Sequence, residues 1–172
     1  RAGRKAVWKL LDFGVSKLDD TTGTLTRSAV IGTPGYMAPE QARGSEADMR
    51  SDIFGLGAVT YRALTGRPPF KGSDTPQILF EIVYRSPTRP SELVRSLHPD
   101  VELALVLALA KRAEDRFAGA LEFAAALRSA ATGGLDPGLR ERAVTVLAAQ
   151  PWGRQVVDAH RGPEISDCRE LP

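Results

Sequence analysis

The pattern of apolar and polar positions gives the chain three textures. Residues 6–12, AVWKLLD, form a short apolar stretch with Val7 and Trp8 that ends at Phe13-Gly14, which predicts a strand broken at the glycine. Residues 15–36 hold many Thr, Ser and Gly without a period, the texture of a long ordered loop, and loops of that length are commonly functional. From Ser51 onward the pattern turns helical. The stretch Ser51–Leu64 opens on two N-cap candidates, Ser51 and Asp52, and closes on Gly66, a natural residue for a helix end. Ile53, Phe54, Leu56, Val59, Tyr61 and Leu64 run almost all the way round it, which predicts a helix inside a core.

Pro68-Pro69 forbids continuation, and Thr75-Pro76 predicts the N-cap and first position of a second helix. Ile78, Leu79, Ile82 and Val83 give that helix one apolar stripe. A third helix is predicted after Pro99, with Val101, Leu105, Val106 and Leu109 on one face. A fourth is predicted from Ala118 to Ala130, stopped by Gly133-Gly134. Asp136-Pro137 then opens a short amphipathic helix (Leu139, Ala143, Val146, Leu147) that Pro151 ends, and the polar residues 153–172 read as a mobile tail.

Composition narrows the choices. The 172 residues make room for one domain and a short appendage, and 42% hydrophobic with 26% charged residues is a globular balance. A net charge of +2 provides no polyanion footprint, so no nucleic-acid partner is expected. The single cysteine, Cys168, excludes an internal disulfide framework and fits a reducing, cytoplasmic setting. The longest apolar run, Leu103 to Ala110, is eight residues, against the ~20 a spanning helix needs. No membrane segment is therefore expected here, although a longer parent could carry a tether elsewhere. The start at Arg1 rather than Met suggests a piece of a longer product. His98 and His160 have no second ligand at metal spacing and read as surface residues, and nothing near Cys168 would activate it.

Four short motifs carry chemistry. Asp12-Phe13-Gly14 closes the predicted strand; alone it reads equally as a turn beside a flexible glycine. Ala38-Pro39-Glu40 lies within GTPGYMAPEQARG, Asp52-Ile53-Phe54-Gly55-Leu56-Gly57 heads the apolar helix, and Arg116 lies in KRAEDRF before the fourth helix. Their order and setting together make chance a poor explanation. From about Val7 to Leu127 the chain resembles the C-terminal lobe of a bacterial, eukaryotic-like serine/threonine protein kinase. WKLLDFGVSK resembles the strand into the DFG motif, and VIGTPGYMAPEQARG the end of the activation segment. ADMRSDIFGLGAVTYRALTGRPPF resembles the central buried helix, and LALAKRAEDRFAGALEF the last two helices of the lobe. Family members usually have Asp-Pro where Arg112-Ala113 stands, a difference at one turn.

The resemblance implies a protein-kinase-like α+β fold, of which this chain holds mainly the helical C-lobe and a short strand before the DFG motif. It implies a partial kinase domain over residues 1–130, with a short helix and tail over 131–172. It implies that Asp12 binds the Mg2+ that bridges the ATP phosphates, that Phe13 packs under the strand and reports the active state, and that Gly14 supplies backbone freedom. Thr33 falls where serine/threonine kinases place the threonine that orients the substrate hydroxyl, and Gly35, Tyr36 and Met37 where the following substrate residue is received. Glu40 and Arg116 are implied as an ion pair; without the resemblance they are two independent surface charges. Asp52 is implied to cap backbone amides of the catalytic loop in a complete kinase, or here only its own helix. Thr24, Thr26 and Ser28 are candidate phosphorylation sites, with Lys17 and Arg27 as possible partners, in a loop that is otherwise simply solvated.

These 172 residues contain no Gly-x-Gly-x-x-Gly loop, no placeable ATP-clamping lysine and no His-Arg-Asp catalytic loop. The resemblance thus implies part of an enzyme that transfers the ATP γ-phosphoryl group to Ser or Thr of protein substrates, with ATP and Mg2+ as cofactors. The isolated chain is expected to be inactive. The alternative is a non-catalytic kinase remnant that binds protein partners through its helical face.

Overall fold

The computed structural model describes residues 34–153, so the predicted strand over 6–12 and the tail beyond Gly153 lie outside the described residues. A 3-10 turn over Pro34–Tyr36 leads into α1 (Pro39–Ala42), α2 (Met49–Thr65), α3 (Thr75–Tyr84), α4 (Pro90–Leu93) and α5 (Pro99–Ala108). A second 3-10 turn over Ala113–Asp115 precedes α6 (Ala120–Ala130) and α7 (Pro137–Ala149). No strand occurs among the described residues, so the part seen is the helical layer alone.

The sequence signals place the five longer helices, α2, α3, α5, α6 and α7, but not the single-turn α1 and α4, and they place first residues less well. Helix α2 starts two residues before Ser51 and is capped by Asp48, whose carboxylate accepts the Arg50 N–H at 2.8 Å. Neither Ser51 nor Asp52 caps it: Ser51 is buried and spends its hydroxyl on Glu40, while Asp52 is exposed in the first turn. The end is as predicted, with Gly66 left-handed at φ 71°. In α3 the cap is Asp74, not Thr75; its side chain accepts the Gln77 N–H at 2.8 Å, and Thr75 is the first helical residue. A carboxylate one residue upstream outcompetes a hydroxyl whose own backbone is already helical.

Burial also departs from the prediction in two helices. Helix α2 buries Ile53, Phe54, Ala58 and Tyr61, but Leu56, Val59 and Leu64 are exposed, because no described element covers that face. The helix enclosed all round is instead α5, with Asp100, Val101, Glu102 and the run Ala104–Ala108 all buried. It packs against α2, α4, α6 and α7. Gly57 lets α2 approach it closely: a Cβ there would stand 2.9 Å from the Ala108 Cβ.

The two acidic residues at the head of α5 disguise it as amphipathic, and each is buried because it has partners. Asp100 accepts both terminal nitrogens of Arg140, Nη2 at 2.7 Å, and the Leu135 N–H at 3.1 Å. Glu102 accepts Arg89 Nε at 3.0 Å and the Ser91 N–H at 2.7 Å. His98 is exposed and caps the same helix, its Nδ1 accepting the Asp100 N–H at 3.2 Å. Helix α7 seats Ala143 and Val146 in the same core as α5 and α6, with Leu139 and Leu147 packed at its edge. Past it, the Gly153 N–H donates to the Pro87 carbonyl at 2.8 Å.

The Asp100–Arg140 pair is lopsided, since the carboxylate is buried while the guanidinium is 44% exposed. Arg140→Ala strands a charge in the core and should cost about 3 kcal/mol or more. Asp100→Asn should cost less, because the amide oxygen still accepts Leu135 and Arg140 can turn to water. Urea unfolding of the two variants measures the difference.

Candidate functional site

The segment from Pro34 to Glu40 is short, polar in part and fastened at both ends. Its 3-10 turn closes with the Met37 N–H donating to the Pro34 carbonyl at 3.2 Å. Gly35, Tyr36 and Met37 are half-buried there, with Tyr36 and Met37 packed on the core. Arg62 Nη1 donates to the Tyr36 hydroxyl at 2.6 Å. Gly55 and Arg62 stand two turns apart on α2, hence on one face. That face meets the turn, and a Cβ at Gly55 would lie 3.2 Å from the Tyr36 carbonyl oxygen. Ala38 donates its N–H to Gln41 Oε1 at 2.9 Å, which starts α1 and aims Glu40 inward.

Glu40 meets Arg116, 76 positions away, in a bidentate ion pair: Nη1 to Oε1 at 2.6 Å and Nη2 to Oε2 at 2.8 Å. Ser51 adds its hydroxyl to Oε1 at 2.6 Å. The remaining Arg116 donors go to backbone carbonyls. Nε reaches Ala110 at 2.8 Å, Nη1 also reaches Arg50 at 3.0 Å, and Nη2 also reaches Lys111 at 3.3 Å. All five N–H groups of a fully buried guanidinium thus have acceptors, and its Cζ lies 5.1 Å from the centre of the Phe54 ring. Burial by itself would raise the Glu40 carboxyl. The hydrogen bonds from Arg116 and Ser51, its own backbone amide and the Arg116 charge outweigh that and hold it below its ordinary value of 4.5.

The cluster rests on a second buried cation. Lys111 Nζ donates to the Ile82 carbonyl at 2.6 Å and lies 4.2 Å over the Phe70 ring, tying the loop after α5 to α3. Behind it, Tyr61 donates its hydroxyl to the Thr88 carbonyl at 2.7 Å, and desolvation pushes that phenol up to about 12, so it stays neutral.

Of the sequence-predicted site residues, the structure brings Glu40 and Arg116 together and places Gly35, Tyr36 and Met37 on the short segment that Glu40 ends. Asp52 stands apart, exposed, and does not cap its own helix. Asp12, Phe13, Gly14, Thr24, Thr26, Ser28 and Thr33 lie outside the described residues. Sequence reasoning missed Ser51 as a partner of Glu40 and Arg62 as the partner of Tyr36. The spacing of Arg62 from Gly55 was the available signal; for Ser51 there was none beyond its place in the first turn. Among the described residues no His, Cys, Asp and Glu group could hold a metal ion, and no helix is long and apolar enough to cross a membrane.

Arg116→Lys tests whether the fork matters or only the charge. An ammonium has three donors and no planar fork, so the variant should lose most of the about 3–5 kcal/mol that breaking a buried pair costs. Acid adds a second reading. Glu40 has a lowered folded value, so its contribution to stability is full above 4.5 and fades as pH falls through that lowered value. Glu40→Gln should flatten this part of the stability-against-pH curve, as followed by urea unfolding at successive pH values.

Residues 2–125 match the family model described as "Protein kinase domain". A probable serine/threonine-protein kinase of Corynebacterium efficiens is 44% identical over 125 residues, 69% of this chain and 19% of the relative. The serine/threonine-protein kinase PknB of Mycobacterium leprae is 40% identical over 120 residues, again 69% of this chain and 19% of the relative. The DNA damage-responsive serine/threonine-protein kinase RqkA of Deinococcus radiodurans is 45% identical over 109 residues, 63% of this chain and 16% of the relative. The chain thus spans about a fifth of the length of the first two relatives.

Proposed function

Because the chain belongs to the protein kinase family, we propose that it forms the substrate-facing part of a serine/threonine kinase. In that reaction a protein Ser or Thr hydroxyl oxygen attacks the γ-phosphorus of ATP, the β–γ bridging bond breaks, ADP leaves, and the hydroxyl proton passes to a base. That base is not supplied within these residues, which contain no His-Arg-Asp run.

The observation that carries the reading is the mounting of Pro34–Glu40. A peptide substrate must be held in register within fractions of an ångström for phosphoryl transfer. A segment locked through Tyr36 to α2 and through Glu40 to a buried arginine supplies a rigid bed for it. Gly35, Tyr36 and Met37 then receive the substrate residue that follows the target hydroxyl, and Thr33 is the residue that orients that hydroxyl. Asp12 is the magnesium ligand: a carboxylate is the hard oxygen donor this cation takes. When bound, the ion neutralises charge on the β- and γ-phosphates. Phe13 and Gly14 set the position of that carboxylate, and phosphate on Thr24, Thr26 or Ser28 orders the loop between it and the substrate bed. Protein substrates and ATP are the partners, and the reaction belongs in the cytoplasm, where ATP is supplied.

Two measurements separate this reading from a non-catalytic binding module. In the longer protein that carries these residues, Asp12→Ala should abolish transfer of labelled phosphate to a Ser/Thr substrate while the melting temperature stays within a few degrees. Retained transfer would refute the role of Asp12, and a longer protein with no transfer at all would favour the binding module. The 172-residue chain alone, given labelled ATP and Mg2+, should incorporate no label.

A further inference from the structure

The family match ends at residue 125, yet the fold continues through α7 to Gly153. Helix α7 is fixed at both ends. Arg140 in its first turn grips buried Asp100, and beyond its last turn the Gly153 N–H is bonded to the Pro87 carbonyl. Between these anchors two of its polar side chains turn toward one target, the backbone of the loop from Ala110 to Arg116. Arg142 Nη2 donates to the Arg116 carbonyl at 3.1 Å and is 3.4 Å from the Asp115 carbonyl. Gln150, at the C-terminal cap of α7, accepts the Lys111 N–H on its Oε1 at 3.0 Å.

That loop is the cradle of the Arg116 guanidinium. Its own carbonyls at Ala110 and Lys111 accept from Nε and Nη2, while the far side of the guanidinium holds Glu40. The loop backbone is thus gripped on one side by the side chain that pins the substrate-facing segment and on the other by α7. Within the loop, the 3-10 turn is closed by the Asp115 and Arg116 N–H groups donating to the Arg112 and Ala113 carbonyls, and Arg112 pairs with Glu114. The stretch Ala110–Lys111 is tied to that turn through the Arg116 side chain itself. The contacts from α7 at Lys111, Asp115 and Arg116 brace both ends of the loop from outside, beside the Lys111 Nζ bond to the Ile82 carbonyl.

We propose that α7 is a positioning element for the substrate-facing segment. Arg142 and Gln150 hold the 110–116 loop in the shape that aims Arg116 at Glu40. Neither residue touches substrate, and the coupling runs from α7 through the loop backbone to the guanidinium and so to Glu40. The functional meaning rests on the kinase reading above, but the physical coupling does not, and its test needs no phosphoryl transfer.

The test uses the 172-residue chain labelled with 15N and 13C. It follows solvent exchange of the Arg116 Nε–H and titration of the Glu40 carboxyl. Arg142→Ala combined with Gln150→Ala is compared with Leu139→Ala, which trims the packing of α7 without touching the loop. Arg142 is exposed and Gln150 half-buried, so the double variant leaves the core intact. The double variant should speed Arg116 Nε–H exchange by about tenfold or more, the mark of a local opening, and should move the Glu40 titration up toward 4.5. Arg142→Lys, with a cationic donor still in reach of the carbonyls, should stay near the parent chain in both signals. If the double variant leaves both signals unchanged, or if Leu139→Ala shifts them as much at equal loss of stability, α7 only adds packing and the proposal is wrong.

Discussion

The structure depends on one buried guanidinium. Arg116 joins its own loop after α5 to two stretches well before it in the chain: the segment ending at Glu40 and the start of α2 at Arg50, where Ser51 adds its own bond to Glu40. Only an arginine has five donors in a planar fork, and here every one is used. Taking both charges out of water is costly enough that the net gain in stability from such a pair is small. What it provides is register. A carboxylate displaced by an ångström would leave a buried charge with poor partners, so the segment before Glu40 has one position rather than several.

Around that point the fold is arranged to keep the environment dry and close. Phe54 and Phe70 stack with centroids 5.8 Å apart, and Phe117 and Phe123 pair at 5.3 Å. Lys111 lies against Phe54 and Phe70 and Arg116 against Phe54, and two glycines of α2 let the segment above and the helix below approach within side-chain-free distance. Helix α5 then serves as the spine. Its apolar run is covered on all sides, and its two acidic residues bind arginines from flanking segments rather than from solvent.

How much of this was legible in the sequence follows from what each feature depends on. Helix ends set by local chemistry were readable: Gly66 terminates α2 because only a residue free of Cβ strain takes φ 71° cheaply, and Pro99 and Pro137 open helices where their missing N–H costs nothing. Helix starts were less so, because Asp48 and Asp74 compete with hydroxyls nearby and the winner depends on where the backbone bends. The Glu40–Arg116 contact was accessible only through resemblance, since nothing local relates two residues 76 apart. The burial of α5 was hidden by Asp100 and Glu102, whose partners Arg140 and Arg89 lie 40 and 13 positions away. Likewise the reach of Arg142 and Gln150 back to the 110–116 loop leaves no periodic trace, because it is made by two side chains meeting backbone.

A double-mutant cycle on the buried pair addresses the central claim most directly: that Arg116 and Glu40 act as one unit which fixes the segment from Pro34 to Glu40. Glu40→Ala, Arg116→Ala and the double variant are unfolded in urea under one set of conditions, and the coupling energy is read from the four free energies. A coupling of about 2 kcal/mol or more is predicted, with the double variant hardly worse than Arg116→Ala alone. A coupling below about 0.5 kcal/mol, the level of independent sites, would contradict it, and the segment would have to be held by its packing on α2 instead.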